Sequence, residues 1–314
     1  MVWGAAATAC LSTPAGIAIV SSNFLVRGNV RRLLFFIASL DALVGIIALQ
    51  VIYSLYHPAG FGEISPVPTL GWIVVGLGLG TVCGILFLWL TRRRPDGEEM
   101  VLFLIGGAAF AAGAAMQLQL SPLFVCVVMG AVVVNLSPNH GRVFRSLERW
   151  EKPVYVILLI IAGAFLRFPT LWIIPLAAAY VVLRAGAKVA GGAAAVRLSP
   201  LPFKPPARLG LGLMPQGGIS LALAISLMLT FTGLELDGLD AMDTLFSIVL
   251  IGVVASELVG PVFVTSALRR AGEISPDVEQ ALAAGDSEEA HAHALRHVPT
   301  TADGADPETA EESE

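Results

Sequence analysis

Long apolar blocks separated by short polar links run along residues 1–272 of this 314-residue chain. The hydrocarbon core of a bilayer, about 30 Å thick, is crossed by roughly 20 residues of helix, and most of the blocks approach that length. The pattern predicts an all-α polytopic membrane protein with about nine transmembrane helices. The predicted spans are 2–21, 32–55, 69–91, 99–118, 121–136, 153–168, 170–193, 209–231 and 243–267.

The links between the blocks alternate in their content of Lys and Arg. "NFLVRGNVRR" after the first span holds three arginines, "YHPAGFGEISPVP" after the second holds none, and "TRRRPDGEE" after the third is basic again. Basic residues concentrate in cytoplasmic loops of membrane proteins. The alternation therefore predicts an outward-facing N-terminus and a cytoplasmic C-terminus, and it favours nine spans over eight or ten.

Composition separates the chain into two parts. Hydrophobic residues make up 56% of it and charged residues only 14%, whereas a soluble domain carries about 25% charged residues. Residues 273–314 differ, since they hold twelve acidic residues and one arginine among few large apolar side chains. We expect a transmembrane domain over 1–272 and a disordered acidic cytoplasmic tail over 273–314. The chain has no basic stripe, so nucleic acid is not expected as a partner; the lipid bilayer is.

Four charged residues lie well inside the predicted spans, away from their ends: Asp41, Arg184, Lys188 and Glu257. A charge at the bilayer centre costs at least about 2.5–3.5 kcal/mol, so it persists where it has a partner or lines a water-filled path. At 1.5 Å per residue, Asp41 lies roughly 13 Å from the cytoplasmic end of its helix. Arg184 and Lys188 lie near the same depth and share one helix face.

Pairing with either basic residue would satisfy the Asp41 carboxylate. A carboxylate also binds either a proton or a desolvated Na⁺ or K⁺, but not both at once, and a nearby Lys favours its charged form. Such competition for one group produces cation/proton exchange. A static ion pair that only orients two helices is the alternative.

Two spans carry helix-breaking sequences. The first reads "ATACLSTPAGIAIV", where Pro14 follows Ser12 and Thr13, and the eighth opens "GLGLMPQGGIS". Proline removes a backbone donor and frees a carbonyl one turn back. Transporters built from inverted repeats place such discontinuous helices in corresponding positions, with the ion site between them. The predicted break residues are Pro14, Pro215, Gly217 and Gly218.

Five segments together resemble the second family of the monovalent cation:proton antiporter superfamily, which comprises bacterial Na⁺/H⁺ and K⁺/H⁺ exchangers. They are "LSTPAGIAIV", "RRLLFFIASLDALVGIIAL", "YVVLRAGAKVAGG", "RLGLGLMPQGGISLALA" and "LFSIVLIGVVASELVGPVF". The resemblance implies an inverted-repeat fold in which two unwound helices cross beside an ion-binding aspartate. It further implies elevator-like alternating access, a homodimer in the full-length protein, and a multi-pass location in the bacterial inner (plasma) membrane.

The resemblance also implies roles for individual residues. Asp41 matches the ion-binding acidic position, Lys188 matches its basic partner, and Glu257 matches a recurrent acid with a structural or gating role. Ser12, Thr13 and Pro14 match the first unwound segment. We therefore expect Asp41, Ser12 and Thr13 at the ion- and proton-binding site, with Lys188 or Arg184 as the basic partner.

The chain departs from the family pattern at three places. Many members have an Asp-Asp pair where this chain has Asp41-Ala42, and Asp41 matches either the first or the second of that pair, depending on the alignment. Gly217-Gly218 stands where a Gly-Glu pair is common. Members usually have about three helices before the first one here, so the amino-terminal repeat is expected to be incomplete.

The leading hypothesis is a secondary active transporter that exchanges Na⁺ or K⁺ for protons. The alternatives are a non-transporting fragment or degenerate paralogue of such an antiporter, and a symporter or channel-like relative with the same fold. The sequence has no HExxH or GxSxG motif, so no enzyme is expected. It also predicts no cofactor and no resident metal site.

Overall fold

The computed structural model describes most of the apolar chain and the first part of the acidic segment after it. The described residues are 2–26, 28–56, 69–93, 97–137, 140–166, 172–198, 206, 208–231, 235–236, 239–284, 286 and 293. Within them the chain is almost entirely helical, which confirms the predicted fold class. A single antiparallel pair of two-residue strands, β1 (Glu235–Leu236) and β2 (Leu239–Asp240), precedes the last long helix.

Each of the nine predicted spans corresponds to helical structure. The helices are α1 (Val2–Cys10), α2 (Pro14–Asn23), α3 (Asn29–Leu55), α4 (Thr69–Leu90), α5 (Gly97–Gln117), α6 (Pro122–Leu136), α7 (His140–Phe165), α8 (Ile173–Leu198), α9 (Gly217–Thr230), α10 (Ala241–Arg270) and α11 (Pro276–Ala283), with 3₁₀ turns at Thr91–Arg93 and Leu209–Leu213.

Among the described residues, six helical segments are long and apolar enough to cross a membrane, when α1 and α2 are taken together. Three shorter apolar helices in the same part of the chain are Pro122–Leu136, Pro153–Phe165 and Gly217–Thr230. An integral membrane protein is thereby supported, while the count of nine spanning segments stays a prediction.

The described chain divides into two compact units. The first comprises Met1–Ser12, Leu40–Arg184 and Gln216–Ala255. The second comprises Thr13–Ser39, Ala185–Pro215 and Ser256–Glu314. Both helix breaks lie where the chain passes from one unit to the other.

In the first unit, α4 and α6 approach closely along a ridge of small residues. A Cβ atom added at Gly80 would lie 2.6 Å from Cβ of Val128, and one added at Gly84 would lie 2.8 Å from Cβ of Val132. Small residues four apart let membrane helices pack with their backbones in near contact. This ridge fixes the α4–α6 pair.

The junction between α5 and α6 lies at Ser121-Pro122, where the fifth predicted span begins. Ser121 is the N-cap of α6 and its Oγ accepts a hydrogen bond from Phe124 N at 3.3 Å. Pro122 occupies the first helical position, where a missing N–H costs nothing. The backbone N–H of Ser121 is itself buried and donates to Gln50 Oε1 at 3.1 Å, which joins α3 to the start of α6.

In the second unit, the carboxylate of Glu273 caps the N-terminus of α3. Glu273 is 8% exposed, and its two oxygens accept hydrogen bonds from Val30 N at 2.6 Å and Arg31 N at 3.0 Å. A negative group at a helix N-terminus satisfies free N–H groups and interacts favourably with the helix dipole. Gly28 permits this approach because a Cβ there would overlap the Glu273 carboxylate.

The chain reaches Glu273 through a reversal at the end of α10. Gly272 has φ +72°, and the hydrogen bonds Glu273 N to Leu268 O and Gly272 N to Arg269 O complete a Schellman motif. Glycine suits that left-handed position because it has no Cβ.

Residues 273–283 therefore differ from the tail that the sequence predicts. They carry Glu273 and helix α11, whose Val278 is 2% exposed. Ile274 packs in the core of the second unit, and Arg269 forms an ion pair with Glu279. Apolar side chains at 274, 278 and 281 provide the packing that the acidic composition concealed. Most of the tail beyond Asp286 lies outside the described residues.

We predict that Glu273→Ala lowers the melting temperature of the purified protein in detergent, because two N–H groups at the start of α3 lose their acceptor. Loss of a helix cap costs about 1 kcal/mol. Asp277→Ala is the matched control, since Asp277 is an exposed carboxylate on α11. Equal melting temperatures for the two variants would contradict the capping role.

Candidate functional site

The first break separates α1 from α2 at the predicted position. α1 ends at Cys10, and α2 begins at Pro14, which has no backbone N–H to continue the helix. Thr13 is the N-cap of α2, and its Oγ1 accepts from Ala15 N at 3.3 Å. Leu11, Ser12 and Thr13 are left between the helices, all buried.

Asp41 lies on α3 beside this break. Ser12 Oγ donates a hydrogen bond of 2.9 Å to Asp41 Oδ2. Ser12 is 1% exposed, whereas Asp41 is half-buried. The structure thus brings together two of the three residues predicted for the ion site, and it places the carboxylate where it retains some accessibility.

Arg184 contacts the same break from α8. It is 3% exposed, and its Nη2 donates to Leu11 O at 2.7 Å. In an unbroken helix Leu11 O would accept from the N–H four residues on, but Ala15 N bonds to the Thr13 side chain instead. The guanidinium therefore replaces a lost backbone donor, and it puts a positive charge at the negative end of the α1 dipole.

Lys188 lies one turn beyond Arg184 on α8, in the second unit, and is half-buried. Its backbone carbonyl packs so closely against Gly210 that a Cβ there would overlap it. Glu257, on α10 of the same unit, is also half-buried. The predicted pairing of Lys188 with Asp41 and the predicted role of Glu257 stay predictions.

The second break lies between the 3₁₀ turn Leu209–Leu213 and α9. Met214, Pro215 and Gln216 connect them, and Gly217 begins α9 with φ +62°. A side chain is strained at that φ, which accounts for glycine there. Gly218 faces α7, where an added Cβ would lie 2.8 Å from Cδ2 of Tyr155. All three predicted break residues, Pro215, Gly217 and Gly218, thus lie at the start of α9.

Residues of the two breaks touch within the second unit. Thr13 N donates to Pro215 O at 3.0 Å. Two glycines make room for the proline ring, since a Cβ at Gly16 would lie 2.6 Å from Pro215 Cγ and one at Gly260 would lie 2.9 Å from it. The crossing of two unwound helices that the family resemblance implies stays a prediction.

Within the first unit, the breaks touch through a side chain that the sequence analysis missed. Gln216 Nε2 donates to Thr8 O at 3.0 Å and to Tyr180 Oη at 2.7 Å. Gln216 is 0% exposed. The only sequence signal for it is a polar amide inside the apolar, glycine-rich segment "LMPQGGIS".

These contacts define what the site can do chemically. Asp41 offers a carboxylate with a hydroxyl donor beside it and partial access, which suits reversible binding of a proton or a small cation. Arg184 and Gln216 hold the backbone beside it in place. Among the described residues, no group of three or more His, Cys, Asp or Glu side chains could hold a metal ion.

Comparison with known protein families gives a match over most of the chain. The sequence model for the family described as sodium/hydrogen exchanger, transmembrane, matches residues 1–270. A search of curated proteins found no match.

We predict that Arg184→Ala destabilises the protein, because Leu11 O would become a buried acceptor without its donor. Such a loss costs about 1–3 kcal/mol. The measurement is thermal unfolding in detergent, and Arg197→Ala is the control because Arg197 is an exposed arginine on the same helix. If both variants unfold at the same temperature, Arg184 does not support the break.

Proposed function

Because the chain belongs to the sodium/hydrogen exchanger family, whose model covers residues 1–270, we propose that it exchanges Na⁺ or K⁺ for protons by alternating access. Family membership makes the protein an integral membrane cation:proton antiporter rather than an enzyme. We place it in a bacterial plasma membrane with a cytoplasmic C-terminus, following the resemblance and the loop charges.

Asp41 is the group for which cation and proton compete. The observation that carries this assignment is the 2.9 Å hydrogen bond from Ser12 Oγ to Asp41 Oδ2 at the first helix break. The hydroxyl stabilises the ionised carboxylate, and its oxygen can turn towards an arriving cation. Thr13, the next residue of the break, offers a second hydroxyl.

The two basic residues have different tasks in this proposal. Arg184 is committed to the Leu11 carbonyl and stays charged, because a guanidinium does not lose its proton in proteins. Lys188 carries a compact ammonium on a flexible stem, which can leave the carboxylate when a cation arrives. Lys188 is therefore the basic partner of Asp41, and Arg184 is a fixed positive charge.

The contact between the breaks supports alternating access. Thr13 N and Pro215 O pair two segments that are not helical. In transporters with discontinuous helices, the ion site lies at such segments and one repeat moves against the other around it. The homodimer implied by the resemblance belongs to the same proposal.

We predict that Asp41→Asn abolishes exchange. Protein reconstituted into vesicles with an internal pH dye should acidify or alkalinise the lumen when a Na⁺ or K⁺ gradient is imposed, with protons moving opposite to the cation. The Asn variant cannot bind a proton at that position and should show only the leak of empty vesicles. Asp277→Asn, which neutralises an exposed carboxylate, should exchange like the unaltered protein.

Two results would overturn this proposal. Exchange by Asp41→Asn at the unaltered rate would remove Asp41 from the mechanism. Proton movement in the same direction as the cation would indicate symport.

A further inference from the structure

The side chain of Gln216 makes hydrogen bonds that have no part in capping a helix. Gln216 is the N-cap of α9, yet its side chain makes no capping hydrogen bond. Its amide instead reaches the carbonyl of Thr8 at the end of α1, at 3.0 Å. In a continuous helix that carbonyl would accept from the N–H four residues on, so the amide replaces a bond that the break removes.

The orientation of this amide is fixed by its partner. Thr8 O is a carbonyl oxygen and can only accept, so the atom that faces it at 3.0 Å must be the amide nitrogen. Exchanging the amide nitrogen and oxygen would place two acceptors against each other. The direction of Gln216 Oε1 follows from that contact.

The hydroxyl groups of Tyr180 and Thr8 lie beside the Gln216 amide, and each already donates its proton to another acceptor. Tyr180 Oη donates to Thr8 Oγ1 at 3.2 Å, and Thr8 Oγ1 donates to Ala5 O at 2.9 Å. Tyr180 Oη in turn accepts from Gln216 Nε2 at 2.7 Å. The three side chains form a one-way chain of donors, and it leaves none for Gln216 Oε1.

Gln216 Oε1 is consequently a buried acceptor with no hydrogen-bond partner among the described residues. An unpaired buried acceptor costs about 1–3 kcal/mol unless something approaches it. A cation needs no donor proton, and amide carbonyl dipoles are established replacements for the hydration shell of monovalent cations.

The location of this oxygen connects it with the predicted ion site. Gln216 binds the carbonyl of Thr8, Arg184 binds that of Leu11, and Ser12 donates to Asp41. Leu11 N also lies 3.3 Å from Thr8 O. The amide and the Asp41 carboxylate thus contact the two ends of one short stretch of chain, residues 8–12.

We propose that Gln216 Oε1 is a ligand of the transported monovalent cation and helps to determine which cation is preferred. The inference rests on the proposed function, since it takes the cation to be the species exchanged. The Thr8 contact holds the oxygen at a fixed position, so it favours cations of one radius over others. Asp41 supplies the charge and the proton competition, while Gln216 supplies selectivity.

The test combines cation binding with transport. Melting temperatures are measured in detergent with LiCl, NaCl, KCl or RbCl against choline chloride at equal ionic strength, since a ligand that binds the folded state raises its stability. Proton flux in vesicles is then titrated with the same four cations to give apparent KM values. Three proteins are compared with the unaltered chain: Gln216→Met, Gln216→Glu and Tyr180→Phe.

We expect Gln216→Met to raise the apparent KM for the preferred cation about tenfold, as loss of about 1.4 kcal/mol of ligand interaction requires. The apparent KM for the other cations should rise less, so the difference in KM between the preferred cation and the others should become smaller. The rise in melting temperature that the preferred cation causes should also become smaller. Gln216→Glu adds a negative charge, but it faces Thr8 O with an acceptor and loses the bond that holds the side chain, so it should change both the cation affinity and the cation preference. Tyr180→Phe removes a partner of Nε2 but leaves Oε1 in place. It should therefore change the apparent KM for all four cations by the same factor.

Three results would overturn or separate the two proposals. Unchanged cation preference and unchanged melting shifts in Gln216→Met would show that the oxygen binds only water, which removes the ligand role. If Gln216→Met does not fold, a Gln216→Glu protein with the unaltered affinities and preference would overturn it equally. A melting shift that depends on Gln216 in a protein that exchanges no protons would retain the cation ligand and reject antiport.

Discussion

In the core of a membrane, a backbone carbonyl that leaves its helix finds no water to donate a hydrogen bond to it. The protein must supply that donor, and this constraint determines the structure around the first break. Arg184 donates a hydrogen bond to Leu11 O, and Gln216 donates one to Thr8 O. Thr13 N donates to Pro215 O. Non-helical backbone at membrane depth is tolerated only where it is buried in protein or lines a water-filled cavity. The break therefore depends on side chains that lie 173 and 208 residues further along the sequence.

The same constraint explains why charge is tolerated in this region. Arg184 is almost fully buried, and a buried guanidinium is costly unless polar groups surround it. The end of α1 provides a carbonyl with the partial negative charge of a helix C-terminus. Asp41, in turn, lies beside a hydroxyl from the next residue of the break. Opening the helix therefore creates the polar surroundings that allow ionised side chains to remain in the bilayer.

Patterns local to the sequence predicted much of this architecture. Apolar blocks located the helices, and proline and glycine located both breaks. Contacts between distant segments were harder to anticipate, because they depend on side-chain direction as well as depth. Depth alone did not distinguish Arg184 from Lys188, and nothing in the residue type of Gln216 indicated that its amide would reach α1. The order of residues 273–283 was hidden by their acidic composition.

The cap that Glu273 places on α3 bears on how the acidic tail should be studied. A truncation designed from composition would stop at residue 272, and it would delete the acceptor of Val30 N and Arg31 N together with α11. Such a protein would have a weakened α3, the helix that carries Asp41, so lost exchange could not be attributed to a regulatory tail. Deletions that begin after Ala284 leave this cap intact, and only these separate the contribution of the acidic tail from the integrity of the transporter.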